Sequence, residues 1–236
     1  MALDKDIVGS IEFLEVEGLQ GSTYLLKGPN GEQVKLNQSE IAEEDEFEIG
    51  EEYSFFVYPN RSGELFATQN MPDITKDKYD FAKVLKTDRD GAHIDVGLPR
   101  EVLVPWEDLP KLKELWPQAG DYLLVTLRID SNNQMFGRLA SETIVEGMFT
   151  PVMDESKQNE MIEARSYRLL RVGSFLLSKD GYKIFVHESE RKEEPRLGEK
   201  VEVRIIGHND KGELNGSFLP LAHERLDDCL LYTSLM

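Results

Sequence analysis

A pattern of five short strands recurs three times along the 236-residue chain, at a spacing of about 70 residues. This repeat constrains the fold more than any other feature. Each copy reads strand, strand, strand, insert, a Gly-centred tripeptide, strand, tight turn, strand. The first copy has runs at 7–13, 23–26, 32–36, 53–58 and 65–68, with Pro59 to Gly63 as the hairpin turn. The second has runs at 79–85, 92–96, 102–104, 122–129 and 135–139, turning at Asp130 to Asn133. The third has runs at 166–172, 174–177, 182–186, 200–206 and 214–219, turning at Asn209 to Gly212. Gly50, Gly120 and Gly198 each stand just before the fourth strand of their copy. Five strands with a long connection after the third predict a partly open OB-type barrel, which closes its own edges. One large β-sandwich would explain the strands but not the threefold glycine. The expected fold is therefore all-β, with three tandem five-stranded barrels over 1–70, 71–142 and 165–222. A linker at 143–164 is expected to carry one short helix near Glu155 to Glu163, because Pro151 blocks helix before it.

The charge is unevenly spread. The chain carries a net −18, which argues against a protein that coats duplex DNA with a basic face. Residues 1–70 hold 15 acids and 4 bases, 71–142 hold 13 and 10, and 143–222 hold 14 and 12. Between Arg165 and Arg204 there are ten bases against seven acids, so that segment is the first candidate for touching a polyanion. No apolar run is long enough to span a membrane, and the N-terminus lacks the basic-then-apolar pattern of a signal peptide. One cysteine, Cys229, and four histidines build neither a disulfide nor a Cys-rich zinc site. A cytoplasmic setting with no cofactor and no membrane partner is expected. Phosphate-binding and nucleophile-elbow motifs are absent. Ser189 near His187 lacks a third orienting partner, so no enzyme is expected.

The third copy carries the most informative motif. Gly173-Ser174-Phe175 is followed by Gly181 and by Phe185-Val186-His187-Glu188-Ser189-Glu190, then Leu197-Gly198-Glu199. Together these resemble the S1-type RNA-binding domain across residues 165–220. Binding a single strand needs apolar ring faces for the bases and cations for the backbone. The resemblance puts Phe175 and His187 on one exposed barrel face. Alternation along the strand sends Phe185 and Lys183 the same way, and Arg191 and Lys192 follow at the strand end. Glu213 stands where the family often has a base. In the second copy His93 occupies the aromatic slot, and Trp106 follows where the third copy has His187. Trp106 is read either as a stacking residue or as a core or interdomain tryptophan. Trp116, on a short apolar-faced helix over 112–117, is read as packing. The first copy keeps Asn37-Gln38-Ser39-Glu40 in the His-x-Ser-Glu slot, and its acidic loop reads as a solvated face.

Three divergent copies of this type, with Glu107-Asp108-Leu109-Pro110, Glu114-Leu115-Trp116-Pro117 and the run from His187 to Gly198, resemble the conserved virulence factor B family. That resemblance implies an RNA-binding regulator of gene expression with three S1-type domains and a C-terminal winged helix, whose start would fall at 223–228. The expected partner is single-stranded RNA, with the third copy leading. The competing expectation is a protein-interaction scaffold whose barrels have largely lost nucleic-acid contact. The last eight residues, Cys229 to Met236, break abruptly from what precedes them. Their first six also match the translation of a transposon-end sequencing adaptor, so 229–236 is read as an artefact of sequencing.

Overall fold

The computed structural model describes residues 7–41 and 46–220. They form two compact units, Met1–Ser141 and Glu142–Met236. The first unit contains two closed barrels. One is built from β1 (Ile11–Gln20), β2 (Thr23–Lys27), β3 (Gln33–Asn37), β4 (Glu52–Pro59) and β5 (Leu65–Thr68). The other is built from β6 (Asp80–Asp88), β7 (Gly91–Asp95), β8 (Val102–Pro105), β9 (Tyr122–Ile129) and β10 (Met135–Leu139). The second unit holds a closed barrel of β11 (Met161–Leu170), β12 (Gly173–Ser178), β13 (Lys183–His187), β14 (Lys200–His208) and β15 (Leu214–Ser217). In every barrel the third and fifth strands pair in parallel and the other pairs are antiparallel. This is the all-β, three-barrel OB architecture.

The recurring glycine has a physical cause. Gly50, Gly120 and Gly198 have φ of +93°, +96° and +83°, a left-handed backbone that glycine adopts without strain. Each donates its N–H to the first strand of its barrel: Gly50 to Val16 (2.8 Å), Gly120 to Val84 (2.9 Å) and Gly198 to Ser166 (2.8 Å). The next residue's carbonyl accepts a hydrogen bond back from the same strand residue, at 3.0, 2.8 and 3.1 Å. Immediately afterwards the register of the first strand slips in all three barrels, at Val16/Gly18, Val84/Lys86 and Ser166/Arg168. The glycine turn thus clamps the bulge that bends the first strand around the barrel.

Two expected segments differ. Ile7 and Val8 are buried, yet the chain turns at Gly9 (φ +80°), so β1 starts only at Ile11. In the linker, a helix α1 (Glu142–Glu146) comes first and a single 3-10 turn covers Glu155–Lys157. From Met161 the chain is strand, not helix. Buried Ile162 and Ala164 alternate with exposed Met161 and Glu163, and the backbone pairs with β14. The third barrel therefore begins ahead of residue 165. The core under it is Val152, Ile162, Ala164, Leu176, Ile184, Val186, Val203, Ile205 and Leu214. Both the expected start of a further domain at 223–228 and the tail 229–236 lie outside the described residues. Among those described, no helix is long and apolar enough to cross a membrane.

Candidate nucleic-acid interface

On the outer face of the third barrel, Phe175 of β12 lies directly across from Phe185 of β13. Their ring centroids are 4.8 Å apart. Phe185 is in turn 6.2 Å from the His187 ring, edge-on, and Tyr167 is 6.2 Å from Phe175 on the other side. The two phenylalanines are half-buried and His187 is exposed. Strand alternation produces the row, because the intervening Ile184 and Val186 are buried in the core. Gly173 makes room for it. A Cβ there would come within 2.5 Å of the Phe185 ring and collide with the Val186 carbonyl. Ser189 donates its N–H to His187 Nδ1 at 3.2 Å, so His187 caps the 3-10 turn Glu188–Glu190. With Nδ1 accepting, Nε2 is the ring edge left to donate outward.

Two of the expected cations are committed elsewhere. Lys183 does share the parity of Phe185, but it is only 2% exposed. Its ammonium sits 5.6 Å from the Phe175 centroid and 5.8 Å from that of Phe149. It bonds Glu213 at 2.5 Å and also Glu142 of α1. Burial disfavours its charge, yet the hydrogen bonds to Glu142 and Glu213 prevail and hold its pKa above the ordinary lysine value. Both carboxyls are held low in return: burial pushes each up, but Lys183 and, at Glu142, Arg168 outweigh it. Glu142 also accepts from Tyr167 Oη at 3.2 Å and from Arg168 at 3.0 Å. Arg191 likewise turns inward, its side chain 9% exposed, to Ser174 Oγ and to Glu194 at 3.0 Å. Of the expected cations only Lys192 is exposed and unpaired among the described residues. Sequence reasoning missed Arg168 and Arg171. Arg168 lies opposite Phe175 in register with its guanidinium 6.0 Å from that ring. Arg171 is exposed in the β11–β12 turn, at the His187 end of the face. Their signal was the local excess of bases.

The same register positions differ in the other barrels. In the second, His93, Leu103 and Pro105 replace Phe175, Phe185 and His187. His93 does not offer a free edge: Nε2 meets Asp88 at 3.0 Å and Nδ1 meets Glu101 at 2.9 Å, with Lys86 closing on Glu101 at 2.8 Å. Two carboxylates on a ring repel a phosphate. Trp106 resolves differently from its core alternative, being 53% exposed in the turn after β8. In the first barrel the positions hold Leu25, Lys35 and Asn37, and Lys35 pairs with Glu64 at 2.8 Å.

Three family models match in series: an S1 domain over 8–70, the first S1-like domain of CvfB over 79–138, and the second domain of the virulence regulatory factor CvfB over 148–220. A curated relative named conserved virulence factor B, from Staphylococcus epidermidis (strain ATCC 12228), is 91% identical over 228 residues, covering 97% of this chain and 76% of its own. Another of that name, from Staphylococcus aureus (strain USA300), is 85% identical over the same span. A crystal structure of a multidomain protein with nucleic-acid-binding domains, from Streptococcus pneumoniae, superposes with a TM-score of 0.80 at 27% identity, covering 98% of this chain and 82% of its own. The three matched models fall on the three barrels in order. On these grounds the chain belongs to the conserved virulence factor B family.

Proposed function

We propose that the chain is a cytoplasmic, non-enzymatic protein that binds single-stranded RNA through the outer face of its third barrel and regulates gene expression in that way. The observation that carries this reading is the row Phe175–Phe185–His187, backed by Arg168 and flanked by Arg171 and Lys192. Half-exposed rings stack bases of any sequence, and the outward Nε2 of His187 adds a donor for a base edge or phosphate. Few cations are free, so the electrostatic share of binding is small. The test is titration of labelled single-stranded RNA, single-stranded DNA and duplex RNA at several salt concentrations. Single-stranded RNA is expected to bind best, with log affinity falling by about 1–2 per decade of salt, as two or three phosphate contacts require. Duplex RNA binding as tightly as the single strand would overturn the reading. A protein-interaction scaffold is favoured by one observation, the withdrawal of Lys183 and Arg191 into ion pairs. It predicts no RNA binding even at low salt.

A further inference from the structure

The only two tryptophans of the chain, Trp106 and Trp116, line one cavity of about 570 Å³ on the second barrel. Arg89, Lys111 and Lys113 line it with them, Leu109 is buried at 7% exposure beside them, and Glu107 is the single carboxylate of the lining. Three cations against one acid in the lining, with Arg89 also 3.5 Å from Asp90, is an inversion in a chain that carries −18 overall. The cavity falls in the range of small-molecule sites, about 300–1,000 Å³. It is lined by the β6–β7 turn and the β8–β9 connection, and not by the strand positions equivalent to Phe175 and Phe185.

The Trp106 backbone and the Trp116 ring are fixed before any ligand arrives. Trp106 N–H donates to the Asp90 carbonyl at 3.0 Å, and Leu109 N–H closes the turn onto Trp106 at 3.1 Å. Gly91, at φ +139°, allows this approach, since a Cβ there would collide with the Val104 carbonyl and lie 2.9 Å from Trp106 N. Trp116 Nε1–H donates to the Pro110 carbonyl at 2.6 Å, and Lys113 Nζ sits 5.5 Å from the Trp116 ring. Trp106 is half-exposed, and its indole carries no hydrogen bond among the described residues. Lys111 is exposed with no ion pair among them. A pre-placed aromatic face such as that of Trp116 lowers the ordering cost of binding. Indoles stack a planar base, and cations beside them suit a phosphate joined to it.

We propose that this pocket binds a nucleotide, its base against the indoles and its phosphate on Lys111, Lys113 and Arg89. The proposal rests on the nucleic-acid reading for its ligand class, and two sources supply that chemistry, a free nucleotide or one residue of an RNA strand. Because both tryptophans lie here, intrinsic fluorescence reports the pocket directly. The full chain is titrated with adenosine 5′-monophosphate, adenosine, a short oligoadenylate and a phosphate-free proline-rich peptide. Saturable quenching by the monophosphate is expected, with adenosine about tenfold weaker for want of charge-assisted hydrogen bonds. Lys111→Gln combined with Lys113→Gln, both at exposed positions, should narrow that difference to the share left by Arg89 while leaving adenosine within about twofold. Tighter quenching by the oligoadenylate identifies a strand residue, and tighter quenching by the monophosphate identifies a free nucleotide. No saturable response to either phosphorylated ligand, or an equal response to the peptide, overturns the proposal. Silent fluorescence with undiminished RNA binding would remove the pocket alone. Quenching by the monophosphate in a chain that binds no RNA would remove the third-barrel reading alone.

Discussion

Phe175 meets Phe185 across a strand pair at 4.8 Å, and each residue is only partly buried. A base would extend that stack. Changing Phe175 and His187 together to Ala is therefore expected to weaken single-stranded RNA binding by about 1–3 kcal/mol per lost stacking contact. Neither residue belongs to the core under the barrel, so the far-ultraviolet circular dichroism should be unchanged. An intact spectrum with unchanged affinity would refute the assignment. Gly173 gives a contrasting outcome at the same scale. Gly173→Ala pushes a methyl group into Phe185 and the Val186 carbonyl, so it should cost about 1–3 kcal/mol of stability by overpacking. Its signature role is steric, as a thermal melt would report.

Helix α1 reaches the third barrel's ion pairs through Glu142. Glu142 holds Lys183, Arg168 and Tyr167 at once, and so places a carboxylate beside the aromatic face. Glu142→Gln should free Arg168 and raise RNA affinity about two- to fivefold, the worth of one partly exposed charge pair. It should also cost about 1–2 kcal/mol of stability at neutral pH. The pH dependence follows from the directions of the shifts. The Glu142 and Glu213 carboxyls are depressed, so their stabilisation is present above the ordinary carboxyl value of 4.5 and is lost as pH falls through their lower values. Lys183 is raised, so its share is complete below 10.5 and is lost only as pH rises past its higher value. The stability gap between the parent and Glu142→Gln, read by thermal melts, should be constant at neutral pH and close as pH falls from 4.5 through the lowered Glu142 value. A gap that persists in acid would show that the carboxylate charge is not its source. This element also marks the limit of what was legible. Alternation along β13 correctly sets Lys183 on the side of Phe185 and His187, but alternation gives a side and not a neighbour. Glu142 is the first residue of α1, and nothing in the sequence brings it to β13. Only Glu213, an acid where a base was expected, hinted that Lys183 had a partner. The barrels were readable because Gly50, Gly120 and Gly198 perform one backbone task three times.

At the scale of the whole molecule, three barrels of one architecture carry different surfaces. The first 70 residues hold 15 acids and 4 bases, whereas 143–222 are nearly balanced at 14 and 12. The first barrel has neither the aromatic pair nor the capping histidine, and its Lys35 is spent on Glu64. In the second, carboxylates occupy both nitrogens of His93. The two compact units divide the chain so that the aromatic row, its cations and Glu142 all fall in Glu142–Met236. A fragment of residues 142–236 should therefore bind long single-stranded RNA within about threefold of the whole chain, and residues 1–141 at least about tenfold more weakly. The cut must precede Glu142, because a fragment starting later would leave Lys183 with one partner fewer. Part of the difference is repulsion between acidic barrels and phosphates, which salt screens over about 8–10 Å at physiological ionic strength. The gap between fragments should narrow as salt rises but not vanish, since stacking on Phe175 and Phe185 is insensitive to screening. Equal affinities at low salt would place the RNA on a surface common to all three barrels, and the third would no longer lead.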